Sequence, residues 1–269
     1  MAIKKQPSIF ISHGGGPCFW IEMPPPMGPN AFDGLRDYLS GLVATLPERP
    51  RAFLIISGHW EAPAFTVSAN PSPGMLFDYY GFPPHTYELS YPAKGDADLA
   101  GQVSQMLKKA GITHQIDDTR GFDHGVFVPM LIADPQAEIP VVMMSIREDF
   151  DPAAHIALGE ALAPLRDQGV VIIGSGNSYH NLSSFRDGEG RNSQIFDKWL
   201  RDAVTQSDYS ARKASLMDWE VAPMARDAQP REDHLIPLMA VVGAGGQDEA
   251  ITDFSDDMGG KAISGFRIG

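Results

Sequence analysis

Seven short runs of the chain carry β character: "SIFIS" (8–12), "AFLIIS" (52–57), "FTVSA" (65–69), "THQID" (113–117), "VVMMSI" (141–146), "VVIIG" (170–174) and "ISGFRI" (263–268). Several are apolar throughout, the pattern of strands covered on both faces. Between them, segments 31–46, 95–111 and 152–169 space apolar residues by three and four, and the last two end in glycine, as helices do. Further helices are expected over 192–206 and 234–243. Strand and helix patterns alternate, which predicts a single α/β domain over residues 1–269, with a mostly parallel or mixed central sheet and helices on both faces. The proline-rich pieces "MPPPMGP" (23–29) and "PSPG" (71–74) read as loops, since proline lacks the donor that a strand interior needs. Residues 70–92, with "FDYYGFPPHTYELSYP", are aromatic and aperiodic. A long irregular segment of this kind is either a binding loop, with Tyr80 at a pocket mouth, or a packing flap.

Composition narrows the function classes. Of 269 residues, 34 are acidic and 21 basic, a net charge of −13, and no Lys/Arg run exceeds two. Nucleic acid and anionic membranes both call for a basic footprint, so neither is an expected partner. The apolar runs are strand-sized and too short to span a bilayer, and the N-terminal one stops at Ser12 and His13, unlike a signal peptide. Cys18 is the single cysteine, which excludes an internal disulfide and points to the reducing cytoplasm.

Chemistry-bearing residues concentrate among the eight histidines. Three share one grammar, an apolar strand followed by small or polar residues and then histidine: "SIFIS" before His13, "AFLIISG" before His59 and "VVIIGSGNSY" before His180. If those strands are parallel, all three imidazoles arrive at the carboxyl edge of the sheet, where open α/β folds bind ligands. His234 stands at an expected helix start beside Glu232 and Asp233, and His124 lies in "GFDHGVF" between two glycines that let backbone or ligand come close. His114, in a strand, and His155, on a helix, read as structural or exposed; His85 lies in the aromatic loop. The phrase "HGGGP" (13–17) could form an esterase oxyanion loop, but no G-x-S-x-G nucleophile elbow accompanies it. Phosphate-loop, C-x-x-C, H-E-x-x-H and EF-hand spacings are absent as well. A dispersed imidazole site survives, suited to Zn, Fe, Cu or Ni and poorly matched to Mg or Ca.

Six phrases together resemble the class III extradiol ring-cleavage dioxygenases, in their 4,5-DOPA dioxygenase-like branch: "FISHGGGP", "LIISGHWE", "YYGFPPHTYELSYPAKGD", "GFDHGVFVPM", "GSGNSYHNL" and "REDHLIPLMAVVGAGG". They stand in the family's order and cover nearly the whole chain; the stretch 183–229 carries no recognised motif. The resemblance implies one mononuclear metal, catalytic non-haem Fe(II) or, in some members, Zn(II), held by His13, His59 and His234. It implies that His180 is a further ligand or the catalytic acid/base, and that His124 faces the substrate. Glu232 and Asp233 are alternatives to His234 as third ligand. "SHGGGP" departs from the family's more usual "SHGSP" at the first loop.

The resemblance further implies that the enzyme cleaves the ring of a DOPA-like catechol with O2, partners that fit the residues. Both must meet at a redox-active metal with open positions, and a histidine can move the phenolic proton near neutral pH. A zinc-dependent hydrolase using the same histidines is the alternative, with His180 as proton shuttle. A metal-binding protein without turnover would leave His124 and His180 without a purpose. Arg147, Arg231 and Lys94 are the candidates to meet a substrate carboxylate.

Overall fold

Each of the seven β-like runs becomes a strand, and an eighth joins them. The computed structural model describes residues 3–25, 27–186 and 190–269; position 26 of the proline-rich loop and positions 187–189 of the motif-free stretch lie outside them. In chain order the strands are β1 (Ser8–Ser12), β2 (Ala52–Ala62), β3 (Phe65–Ser68), β4 (His114–Asp117), β5 (Val141–Arg147), β6 (Val170–Gly176), β7 (Ala250–Met258) and β8 (Lys261–Ile268). They form a mixed sheet in the order β4-β3-β5-β2-β6-β1-β8-β7. Its centre, β5-β2-β6-β1, is parallel, while β3 and β8 run antiparallel to their central neighbours.

The helices are α1 (Asp33–Gly41), α2 (Ala97–Lys109), α3 (His124–Ala133), α4 (Pro152–Leu162), α5 (Arg191–Val204), α6 (Tyr209–Met217), α7 (Ala225–Ala228) and α8 (Ile236–Gly245). They cover both faces of the sheet. Neighbouring residues of β6 point to opposite sides: Ser175 donates to the Gly125 carbonyl of α3, whereas a Cβ on Gly174 would collide with the Pro237 carbonyl of α8.

Among the differences from the sequence expectation, three have a plain physical reason. β7, "AITDFSDDM", is an acidic edge strand with only Ala250, Phe254 and Met258 buried, so it lacks the alternation of a half-buried strand. Charge on an edge also discourages pairing with another chain. α3 is buried on nearly every side and therefore shows no helical period. The helix expected over 152–169 stops at Leu162 and continues as a 3-10 turn over Ala163–Gln168, because Pro164 cannot supply the next helical N–H.

His155 is a structural residue, as its place on a plain helix suggested, and it is fully buried rather than exposed. Its Nδ1–H donates to the Asp151 carbonyl at 2.7 Å, and Nε2 accepts the Arg147 N–H at 3.1 Å. Burial drives its pKa down to about 4. An unfolded histidine titrates near 6.5, so below that pH the unfolded chain binds the extra proton and stability falls until about pH 4. This one group is expected to remove up to about 3 kcal/mol over that window. His155→Gln should start less stable at pH 7 and show a flatter decline in urea unfolding between pH 6.5 and 4. Parallel declines for the two proteins would contradict the assignment.

Candidate metal centre

The parallel strands β2, β6 and β1 lie side by side and deliver three of the histidines to one edge, as their shared grammar predicted. His13 follows the last residue of β1, where its N–H donates to the Gly176 carbonyl at 3.2 Å. His180 follows β6 by a short loop. His59 differs from the expected placement: β2 runs on to Ala62, and His59 sits in an irregularity between Ser57 and Glu61 where the strand loses register with β5. That bulge re-aims the side chain. Its base is pinned by Ser57, whose Oγ accepts the His59 N–H at 3.2 Å and donates to the buried Asp123 carboxylate at 2.8 Å.

His234 reaches the same point from the turn before α8. A Cβ on Gly176 would collide with the His234 carbonyl, so glycine lets this turn press against β6. The Asn177 N–H donates to that carbonyl at 2.9 Å and fixes the register.

Nε2 of His59 lies 3.1 Å from Nε2 of His13 and 3.2 Å from Nε2 of His234. The outer nitrogens are already engaged. His13 Nδ1–H donates to Ser175 Oγ at 3.0 Å, and His234 Nδ1–H donates to Asp233 Oδ2 at 2.9 Å. The Ser175 contact traces to Pro129. Lacking an N–H, Pro129 leaves the Gly125 carbonyl of α3 without its helical donor, and the Ser175 hydroxyl takes that place. The inner nitrogens of His13 and His234 therefore carry lone pairs, and His59 can donate to only one of them.

Burial first, then repulsion from the neighbouring imidazoles, pushes the pKa of His13 and His59 well below the ordinary value; His234 is lowered by burial first and next by His180. Three neutral rings crowding their lone pairs together fit a cation, whose bonds to nitrogen of about 2.0–2.1 Å would bring adjacent ligand atoms to about 3 Å. These three residues could hold a metal, each of the two fixed rings carrying the outer hydrogen bond that orients metal-bound histidines.

His124 opens α3, with its ring centroid 3.8 Å from that of His59. Asp78, in the aromatic loop, clamps it: Oδ1 accepts both the His124 N–H at 3.0 Å and Nδ1–H at 2.7 Å, while Oδ2 lies 3.6 Å from His59 Nδ1. Burial pushes the Asp78 carboxyl up, but the hydrogen bond and charge of His124 and the proximity of His59 outweigh it and hold it below the usual carboxylate range. His180 stacks on His234, with centroids 3.4 Å apart and planes at 18°. It groups with His234 and Asp233 and falls outside the His13–His59–His234 cluster. Burial lowers its pKa as well.

All five histidines open into a cavity of about 680 Å³. Tyr79 and Phe82 line it, whereas Tyr80 is 91% exposed, so the aromatic loop does reach the cavity but through its neighbours. The glycines of "HGGGP" also line it; Gly14 and Gly16 have positive φ (79° and 53°), and a Cβ on Gly14 would strike Cys18. Asp78, Ser57, Ser175 and Asn177 escaped sequence reasoning. The Asp78 signal lay in its nearness to the aromatic motif; the two serines had none beyond following an apolar run. Removing the Ser175 hydroxyl frees the His13 ring to rotate or change tautomer, so Ser175→Ala is expected to weaken metal binding about 10–100-fold by competition with a chelator. Unchanged affinity would show that the hydroxyl does not orient His13.

The family model of the catalytic LigB subunit of aromatic ring-opening dioxygenases matches residues 7–261. The chain belongs to the LigB family. This LigB chain is 35% identical to the dioxygenase tasH of Hapsidospora irregularis, over 96% of its own length and 83% of the relative's. It is 35% identical to the 4,5-DOPA dioxygenase extradiol of Beta vulgaris, covering 75% of each chain, and 29% identical to the protein of that name from Escherichia coli (strain K12), covering 94% and 90%. A crystal structure of an uncharacterized protein from Escherichia coli K12 superposes with a TM-score of 0.77 at 26% identity, covering 98% of this chain and all of that one. The LigB chain is thus an extradiol ring-opening dioxygenase acting on an aromatic substrate with O2, and membership lends the hydrolase alternative no support. Among the described residues no helix is long and apolar enough to cross a membrane.

Proposed function

We infer that this protein is a non-haem Fe(II)-dependent extradiol dioxygenase that opens the ring of a catechol-type small molecule. Residues 1–269 act as one catalytic domain, and the single buried thiol, Cys18, fits a cytoplasmic setting. The convergence of the Nε2 atoms of His13, His59 and His234 at one point of the cavity carries the proposal. Three imidazoles at one corner of a site leave room for the two hydroxyls of a catechol and for O2. Bound Fe(II) supplies the electron relay that lets a closed-shell catechol react with O2; zinc, with no redox chemistry, holds the site without turnover.

The chain's own residues manage protons and position. A catechol binds a metal best after losing a phenolic proton, and His180 is the acceptor we assign. It is neutral at pH 7 because burial lowers its pKa, and its separation from the three-nitrogen cluster supports a proton carrier rather than a fourth ligand. His124, with Nδ1–H held by Asp78, presents Nε2 as the atom available to hydrogen bond substrate or O2. Tyr79 and Phe82 seat the aromatic ring and limit water. Anaerobic loading of the metal-free protein with Fe(II), followed by air and a catechol, should consume O2 and yield a yellow ring-opened product. The zinc-loaded protein should do neither, and equal turnover with zinc would overturn the iron assignment.

A further inference from the structure

The cavity is larger than a bare catechol requires, within the size range of pockets that enclose whole drug-like ligands. Away from the histidines, Asn177, Tyr179 and Asp233, its wall is apolar: Met23, Pro25 and Met27 from the proline-rich loop, Phe32 ahead of α1, and Met258 and Ile263 from the β7–β8 hairpin. These pieces form one surface, since Met27 lies where a Cβ on Gly259 of the hairpin turn would be. Among the described residues, the charged side chain on the wall besides the histidines is Asp233, an acid already engaged by His234 and by Arg231. The cations that sequence reasoning offered for a substrate carboxylate are placed elsewhere. Arg147 pairs with Asp149 and Asp151, Arg231 pairs with Glu61, and neither they nor Lys94 line the cavity.

We propose that the physiological substrate is a catechol bearing an uncharged, apolar substituent, rather than an amino acid or a carboxylate. This rests on the ring-cleavage reading and specifies its substrate class. A carboxylate or ammonium set against methionine, proline and phenylalanine loses its hydration without gaining a partner. An apolar chain there gains burial, and flexible methionines adapt to its shape. The net charge of −13 also repels an approaching anion.

The test compares three catechols with side chains of similar length: 4-propylcatechol, 3-(3,4-dihydroxyphenyl)propionate and dopamine. Affinities are read by anaerobic calorimetry on the zinc-loaded protein, and kcat/KM by O2 uptake on the iron-loaded one. The propyl compound is expected to bind at least about tenfold more tightly than either charged one, and to lead in kcat/KM by a similar factor. Met23→Lys, which puts a cation on the wall at a half-buried position, should move the propionate-to-propyl affinity ratio upward by about tenfold. Binding of the propionate or dopamine as tight as that of the propyl compound would overturn the proposal and leave ring cleavage standing. Propyl-selective binding without O2 uptake by the iron-loaded protein would instead support the pocket assignment and overturn the ring-cleavage reading.

Discussion

His59→Ala is expected to abolish stoichiometric metal binding. Its Nε2 lies between those of His13 and His234, at 3.1 and 3.2 Å, so its loss leaves two imidazoles with no third donor at the shared point. Changes to groups that merely orient a ligand cost 10–100-fold in affinity, and loss of a ligand itself should exceed about 100-fold. His13→Ala and His234→Ala should behave alike. Stability separates this effect from general damage. The three rings, two buried and that of His59 half-buried, are neutral and crowded without a cation, so the metal-free His59→Ala protein should melt no lower than the metal-free parent. What it should lose is the rise in Tm that metal confers on the parent, because a ligand stabilises only the state that binds it. Elemental analysis after dialysis, with melting curves at several metal concentrations, measures both. Full occupancy in any one of the three variants removes that residue from the ligand set.

His180→Gln should separate binding from turnover. The His180 ring stacks 3.4 Å from that of His234, close enough to serve a catechol hydroxyl at the metal directly or through one water, yet it stands apart from the three clustered nitrogens. Glutamine keeps a polar group of similar reach and cannot take up a proton near pH 7. Metal content and anaerobic catechol affinity should stay near the parent values while kcat falls by about 10²–10⁴-fold. A parallel fall in metal affinity would make His180 a fourth ligand.

Much of this architecture was legible in the chain. "AFLIIS" and "VVIIG" announce buried parallel strands, and the histidines that follow them belong at the carboxyl edge because parallel neighbours end together. The groups that orient those histidines were not legible. Asp78 meets His124 across 46 residues, and Ser175 meets His13 across 162, through contacts that exist only after the sheet and α3 assemble. α3 itself was hidden because a helix buried on all sides has no amphipathic period, and Pro129 reads as a breaker until its role in freeing the Gly125 carbonyl is seen. β7 was hidden by the opposite cause, since this edge strand carries three aspartates and only three residues that pack inward. In the aromatic loop, neighbouring residues face different environments with no regular period to tell them apart, so only the fold decides that Tyr79, and not Tyr80, lines the cavity.

The most direct test of the central claim is isotopic. The iron-loaded protein is mixed with a catechol under ¹⁸O2, and the product mass is read before exchange with water. Iron-dependent ring opening at the His13–His59–His234 centre predicts that both labelled atoms enter the ring-opened product, one O2 consumed per catechol, and that His59→Ala yields none. Conversion without label from O2, or undiminished conversion by the His59→Ala protein, would contradict it.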